Sequence, residues 1–493
     1  MGNASPYVLG IDLGTSACKV CLLTADGTVV GSARAGYAIL SPQAGWAEQD
    51  PAAWLHAVTA ATRQLLTATG VPAAAMAGIA LTSAAHIGVL LDASGSPVRP
   101  AILWNDQRAV AEVDELEHLA GATILQRTFQ AVSTSWTLPH LCWVRRHEPD
   151  VWARTRTVLL SKDFLLQWLI GRAVTDPATA LSSQLYDPLA AQWCPELCAL
   201  AGLAPAALPP VCSATTIAGT LTPSTADALG VRAGTPVVVG TLDSATELVA
   251  AGACAPGDRV IRLATAGGVE VVVSGPTPDR HRITYPHPVE PYWYCQAGTS
   301  TCAAAVQWGC ELLGGADTVD YAAWDAWAGA SAPGAEGVLF HPYLAGERAP
   351  HWDPHLRASF TGLSLRHGRE QLARAIYEGT AYSIRQAMRA LPAEQWADAP
   401  LAVVGGGAHS RVWLEILAGV LGRPLRAAPA ADSALGAAAL GLMALGLTEA
   451  PLASLAEAVP LIVPDPAAMA LYADGYARYV EIHQRLAPAY ARR

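Results

Sequence analysis

Val237-Val-Val-Gly-Thr-Leu-Asp-Ser-Ala-Thr-Glu-Leu-Val-Ala-Ala-Gly252 lies near the middle of a chain of 493 residues. Three β-branched residues ending at Gly240 read as a short buried strand, and Ser244 to Ala251 has the spacing of a helix start. Asp243 therefore falls at the carboxyl end of a strand, where open α/β sheets collect their ligands. A carboxylate at such a turn serves as a helix cap, a metal ligand or a general base, and the stretch alone leaves all three open.

On either side of this centre the chain repeats one pattern. Tyr7-Val-Leu-Gly-Ile-Asp-Leu-Gly-Thr-Ser-Ala-Cys-Lys-Val-Cys-Leu-Leu23 is strand, tight turn, strand, and Asp26-Gly27 turns into a third strand. Arg259–Leu263, Ala264-Thr-Ala-Gly-Gly268 and Val269–Val273 repeat it after Asp243. Small residues at such turns present backbone N–H groups and hydroxyls to a phosphate, and Asp12 at the strand end suits a hydrated Mg²⁺. One such turn is as well explained as an ordinary hairpin; the duplication strengthens the phosphate reading for Thr15 and Thr265 together. Leu401-Ala-Val-Val-Gly-Gly-Gly-Ala-His-Ser410 is a third strand end, whose glycines let a flat ring approach the backbone and whose Ser410 caps a helix over 412–421.

His86, Trp104, Asn105, Asp106 and Arg108 gather around two further strand ends, in Thr82–His86 and Pro100–Arg108. An aromatic wall with carboxylate, amide and imidazole groups suits a polyhydroxylated ligand. A satisfied core histidine and a structural Asp–Arg pair explain the same residues equally well. Asp50-Pro51 caps a helix to about Thr69, Leu160–Gly171 and Gly368 to about Arg389 are helical, and Ala434–Leu447 reads as a buried helix. The segment Thr175–Asp187 reads as loop-rich. A Pro-rich passage, Pro205–Pro223, follows, and the change of domain is expected between it and Asp243, giving domains 1–242 and 243–493.

Composition narrows the function classes. Hydrophobic residues make up 52% and charged residues 15%, a globular balance, and the net charge is −10 with only two lysines, Lys19 and Lys162. Nucleic-acid affinity needs clustered cations, so none is expected. The longest apolar tract is too short and too rich in Gly and Ala to span a bilayer. Ten scattered cysteines and no secretory pattern at the N-terminus point to reduced thiols and a cytoplasmic protein. Cys18 and Cys21 share a strand and face opposite sides, which favours core packing over metal binding.

Taken together, these residues resemble the FGGY carbohydrate kinases of the actin, hexokinase and Hsp70 superfamily. The most specific match is Ala358-Ser-Phe-Thr-Gly-Leu-Ser-Leu-Arg-His-Gly-Arg-Glu-Gln-Leu-Ala-Arg-Ala-Ile-Tyr-Glu378, which resembles the C-terminal family motif throughout. Gly10–Ser16 resembles its first phosphate motif, and Gly405–Ser410 its adenosine motif. Gly45-Trp-Ala-Glu-Gln-Asp-Pro51 and Ile102–Arg108 look most like the xylulokinase branch. The resemblance implies an α/β, ribonuclease H-like fold with two domains, a duplicated core and an interdomain cleft. It further implies transfer of the ATP γ-phosphoryl group to a ketopentose hydroxyl, and, from the family's habits, a homodimer. Asp243 would be the base and Asp12 the Mg²⁺ ligand. His86, Trp104, Asp106 and Ser244 would touch the sugar. Thr15, Ser16, Lys19, Thr265, Gly267, Gln307, Gly405, Gly406, Gly407 and Ser410 would hold the nucleotide.

The chain departs from that pattern in four places. Ala84-Ala85 precede His86 where Gln-Met is usual, and Ser244 follows Asp243 where Asn is usual. The second phosphate turn reads Ala-Thr-Ala-Gly in place of Gly-Thr-Ser-Gly, and His140 stands where Lys is common. The changes beside the sugar bear on which ketose is accepted, with ribulose, L-xylulose and polyols as alternatives to D-xylulose.

Overall fold

The computed structural model describes residues 6–314, 319–392, 399–448 and 461–490. Two sheets with the same plan organise it. In the first, β1 (Tyr7–Leu13), β2 (Ala17–Thr24) and β3 (Val29–Gly36) form the antiparallel meander that the turn residues dictate. The sheet continues through β4 (Met76–Ser83), β5 (Ile217–Thr220) and β6 (Pro236–Leu242), in the order β5-β6-β4-β1-β2-β3. In the second, β7 (Arg259–Leu263), β8 (Gly267–Val273), β9 (Ile283–Pro286), β10 (Trp293–Gly298), β11 (Leu401–Val404), β12 (Leu425–Ala427) and β13 (Leu461–Ile462) run β9-β10-β8-β7-β11-β12-β13. Strand for strand, β3-β2-β1-β4-β6-β5 matches β10-β8-β7-β11-β12-β13. In each sheet the opening strand also pairs in parallel with a strand from beyond the meander, β1 with β4 and β7 with β11. The duplicated core is thus present, and the change of sheet follows Leu242.

Each half has its own apolar core, and a third core joins them. Val8, Cys21 and Leu23 of the first sheet meet Val260, Val272 and Val404 of the second around the helices Asp243–Ala250 and Ser433–Ala444. The second of these helices comes from the C-terminal half of the sequence yet lies against β1, β2, β4 and β6. Its approach is backbone to backbone. A Cβ on Gly10 would sit 2.0 Å from the Ala434 carbonyl, and one on Gly436 only 1.8 Å from that of Thr246. This is the buried helix that the apolar tract after Ala434 implied.

Local signals placed the helix ends well. Asp50 accepts from the Ala52 N–H at the start of Pro51–Thr69, Gly171 closes Ser161–Ile170 in a left-handed conformation (φ 76°), and Ser410 accepts from Trp413 N–H. Two expectations need correction. Only Ala101–Ile102 of the segment 100–108 is strand, paired with Glu48–Gln49, because the polar cluster after it is held by side-chain bonds. The segment after Thr175 is not all loop: Pro177–Leu181 is helical, with Asp176 accepting from the N–H groups of Ala178 and Thr179. All ten cysteines are unpaired thiols, Cys18 and Cys21 among the buried ones. No described helix is long and apolar enough to cross a membrane.

Candidate active site

Asp243 opens its helix directly after β6, and its Oδ1 accepts from the Ser244 N–H at 2.8 Å. Burial, and after it the negative charge of Glu247, raise its carboxyl to about 6 against the opposing pull of Arg262. Such a group is ionised at neutral pH and still basic enough to take a proton. Arg262 reaches Glu247 (3.3 Å) and Glu270 (3.8 Å), so it partly neutralises the acidic floor on which Asp243 stands.

Asp12 lies on that floor too. It is 3% exposed, its Oδ1 has no hydrogen-bond partner, and burial followed by the charge of Asp243 pushes its carboxyl well above the usual range. An orphaned buried carboxylate oxygen beside a second carboxylate calls for a cation. No set of three or more His, Cys, Asp or Glu forms a metal cage among the described residues. The donor set therefore fits Mg²⁺, which takes one or two carboxylates and completes its shell with phosphate and water. Lys19 is paired across the hairpin with Asp12 and is exposed, so its ammonium is open to an anion.

The two Thr/Gly turns join β1 to β2 in the first sheet and β7 to β8 in the second. Thr15 accepts from Trp104 Nε1–H (3.0 Å), which ties the first turn to the aromatic wall, and Ser16 beside it is exposed. In the second turn Thr265 is exposed, and the Gly267 N–H donates to Thr299 Oγ1 (3.2 Å). Beyond it a cavity of about 450 Å³ is lined by Gly406, Gly407, Ser410, Tyr321, Asp325 and Tyr377, among others. Gly405 adopts φ 87° against the Leu263 carbonyl, whereas a Cβ on Gly406 would meet nothing within 4 Å. The glycines therefore leave room for a flat ring. Ser410 Oγ–H and Tyr377 Oη–H both donate to Asp325 Oδ1, at 2.7 and 2.5 Å. Gln307 is exposed on the helix Ala303–Gly314, whose Ala303 and Val306 line this cavity, and its amide donates to Glu311.

His86 lines a smaller cavity with Trp104, Trp136, Gln130, Arg348 and Trp352. Burial lowers the imidazole to about 4, so it is neutral. Its Nδ1–H donates to Ser182 O (2.9 Å), which leaves Nε2 to accept from Tyr285 Oη–H (3.3 Å), a residue of the second half. His86 holds φ 69°, a left-handed conformation that costs about 1 kcal/mol or more and persists where the surroundings over-determine it. Gln130 crosses between the halves as well, donating to Thr284 O at 2.8 Å.

Two expected sugar contacts are committed elsewhere. Asp106 is fully buried, and its oxygens accept from Ala47 N–H, Arg108 N–H and the Arg108 guanidinium. Arg108 also binds Glu48 and lies over the Trp46 ring at 3.8 Å. The structural Asp–Arg pair is the reading this geometry supports, because no lone pair of Asp106 is left facing a cavity. The Ser244 hydroxyl meets Tyr294 Oη at 2.9 Å, away from the pocket. Neither Ala84 nor Ala85 lines the cavity. His140 is buried and neutral, its value lowered by burial to about 4.

Tyr285, Arg348 and Asp325 went unremarked in the sequence. The Glu347-Arg348 pair stood in a loop dense in polar groups, a signal that was available; Tyr285 and Asp325 stood in none.

The two halves of this cleft carry matching family patterns. Residues 7–250 match the N-terminal domain, and residues 263–445 the C-terminal domain, of the FGGY family of carbohydrate kinases. The chain belongs to the FGGY family of carbohydrate kinases. Among curated FGGY kinases it is 32% identical to the xylulose kinase of Escherichia coli, over 98% of this chain and all of that one. It is 28% identical to the gluconokinase of Bacillus licheniformis, over 89% of this chain and 88% of that one. The crystal structure of xylulose kinase from Rhodospirillum rubrum superposes with a TM-score of 0.90 at 31% identity, covering 98% of this chain and all of that one. A sugar-phosphorylating enzyme with an actin-like, two-domain fold is therefore in hand.

Proposed function

We propose that this FGGY kinase transfers the γ-phosphoryl group of Mg·ATP to the primary hydroxyl of a ketopentose, D-xylulose foremost. The observation that supports the reading is Asp243, half-buried at the start of the helix that follows β6, with its carboxyl raised to about 6 beside Asp12, Glu247 and Arg262. As the sugar oxygen attacks the γ-phosphorus, Asp243 takes its proton and the bond to the ADP oxygen breaks. Thr15, Ser16 and Lys19 from one half, and Thr265 and Gly267 from the other, would orient the phosphates. Gly405, Gly406, Gly407 and Ser410 would seat the nucleoside, with Gln307 on the helix whose Ala303 and Val306 line the same cavity. Asp12 would hold Mg²⁺, which neutralises phosphate charge as the group is transferred. His86 and Trp104 would meet the sugar.

Similarity to kinases named for xylulose supports the choice of acceptor. A second reading, an aldonate acceptor, has its own support. The guanidinium of Arg348 lines the sugar pocket and is anchored through one nitrogen to Thr299 O (2.7 Å). An unneutralised cation in that wall would suit a carboxylate. ADP-release assays over D-xylulose, L-xylulose, ribulose, polyols and gluconate decide between them. Turnover on D-xylulose that disappears in Asp243→Ala supports the first reading, and sugar binding without turnover on any acceptor sinks the kinase claim for this site.

A further inference from the structure

Lys162 is fully buried in the first half and takes no part in the chemistry above. Its ammonium lies 2.9 Å from Asp163 Oδ1 and 3.4 Å from Asp176 Oδ1, and it donates to the Val239 carbonyl at 3.2 Å. Asp176 in turn accepts from the Thr241 hydroxyl at 2.7 Å. Both acceptor and donor on the strand side, Val239 and Thr241, belong to β6, which delivers Asp243.

The strand is irregular where they attach. Val238 pairs with Ala80 but Thr241 pairs with Thr82, so two residues of β6 oppose the single residue Leu81. This is a β-bulge, a device that re-aims the side chains beyond it. Gly240 takes φ 72° at the bulge, and a Cβ there would lie 1.7 Å from the Leu81 carbonyl. Without the extra residue, every side chain past it would change faces, Asp243 included. A bulge also takes backbone groups out of the ladder, and buried backbone groups need partners. Gly240 N–H finds Ala214 O and Val239 N–H finds Thr216 O; the Val239 carbonyl finds Lys162.

We propose that the buried Lys162–Asp176 pair is a positioning device for Asp243, holding the bulge at Val239–Gly240 in the one geometry that aims the carboxylate at the acceptor hydroxyl. The proposal rests on the reading of Asp243 as the base. Asp176 fastens the device to its surroundings, because it also caps the helix Pro177–Leu181. Lys162 and Asp176 thus act through β6 and touch no substrate.

A kinetic double-mutant cycle on the full-length enzyme tests this. Thr241→Val keeps the side-chain shape and removes the bond to Asp176; Lys162→Met removes the ammonium. Thr241→Val is expected to lower kcat about 10-fold and Lys162→Met about 10²-fold, on the sensitivity of turnover to sub-ångström misplacement. KM for ATP stays within about twofold, since the phosphate turns are untouched. In an Asp243→Ala background the same substitutions cost nothing further, because there is no carboxylate left to aim. Losses that multiply in that background, or an unchanged kcat with a lowered melting temperature, overturn the proposal. If Lys162→Met loses its cooperative melting transition, Thr241→Val alone carries the test. Undiminished turnover in Asp243→Ala by itself refutes the base reading and removes this proposal with it, an outcome distinct from multiplying losses.

Discussion

Replacing Asp243 by Asn keeps the shape of the side chain and its bond from the Ser244 N–H while removing the proton acceptor. Two consequences follow, with opposite signs. With its carboxyl raised to about 6, the wild-type base is almost wholly ionised at pH 8 and about one-tenth ionised at pH 5. The wild-type kcat/KM for sugar should thus fall about tenfold between pH 7 and pH 5. Asp243→Asn should lose about 10²–10⁴-fold at pH 8 and show no limb near pH 6. Stability moves the other way. A carboxyl whose folded-state value exceeds its unfolded value favours folding when protonated, so its benefit is present at low pH and lost as pH rises through about 6. The rise from the ordinary 3.8 corresponds to roughly 3 kcal/mol before solvent access to this partly exposed group is discounted. Asn carries no such penalty. Its melting temperature should exceed that of wild type by about 2–4 °C at pH 8, the gap closing as pH falls toward 4. Stopped or coupled ADP assays and scanning calorimetry across pH 4–8 read both effects. A variant that keeps a tenth of wild-type turnover, or keeps the limb at pH 6, refutes the assignment and turns attention to Glu347, which burial raises to about 7.

Glu247→Gln removes the charge that, after burial, most raises Asp243, so the acid limb of kcat/KM should move down by about one pH unit; a limb that stays put denies the coupling. Gly406→Val projects a side chain into the 450 Å³ cavity where nothing opposes it, and should raise KM for ATP about tenfold or more while KM for sugar and the melting temperature hold, as steady-state kinetics and thermal melts will tell. Arg108→Met leaves Asp106 buried without its cation and Glu48 with Arg99 alone, and should cost about 3–5 kcal/mol in urea denaturation; a loss below 1 kcal/mol would reopen Asp106 as a sugar ligand.

What the sequence disclosed follows from the range of the forces involved. A strand, a Gly/Thr turn and a returning strand are decided within about fifteen residues, so both hairpins, and with them the duplication, could be read. Caps at Asp50, Gly171 and Ser410 are decided over three or four. Asp106 was ambiguous because one of its partners is Ala47 and Arg108 is shared with Glu48, groups that are distant in sequence and meet only once the chain has folded. His86 looked equally like a core residue and a ligand contact, and the structure makes it partly both: its two nitrogens are satisfied by Ser182 and Tyr285, while its ring lines the pocket. Beyond its neighbour Asp163, Lys162 gave no hint of its partners, since Asp176 and Val239 reach it only through tertiary packing.

The helix Ser433–Ala444 has a consequence for how this enzyme can be divided. Its 12 residues are apolar or small around nearly the whole circumference and are covered mainly by a sheet built from the opposite end of the chain. A gene cut after Leu242 would give one fragment a sheet with a bare flank and the other an oily rod with nothing to sheathe it. The duplication visible in the strand order is therefore not a pair of separable modules, because each half has lent the other a piece of its interior.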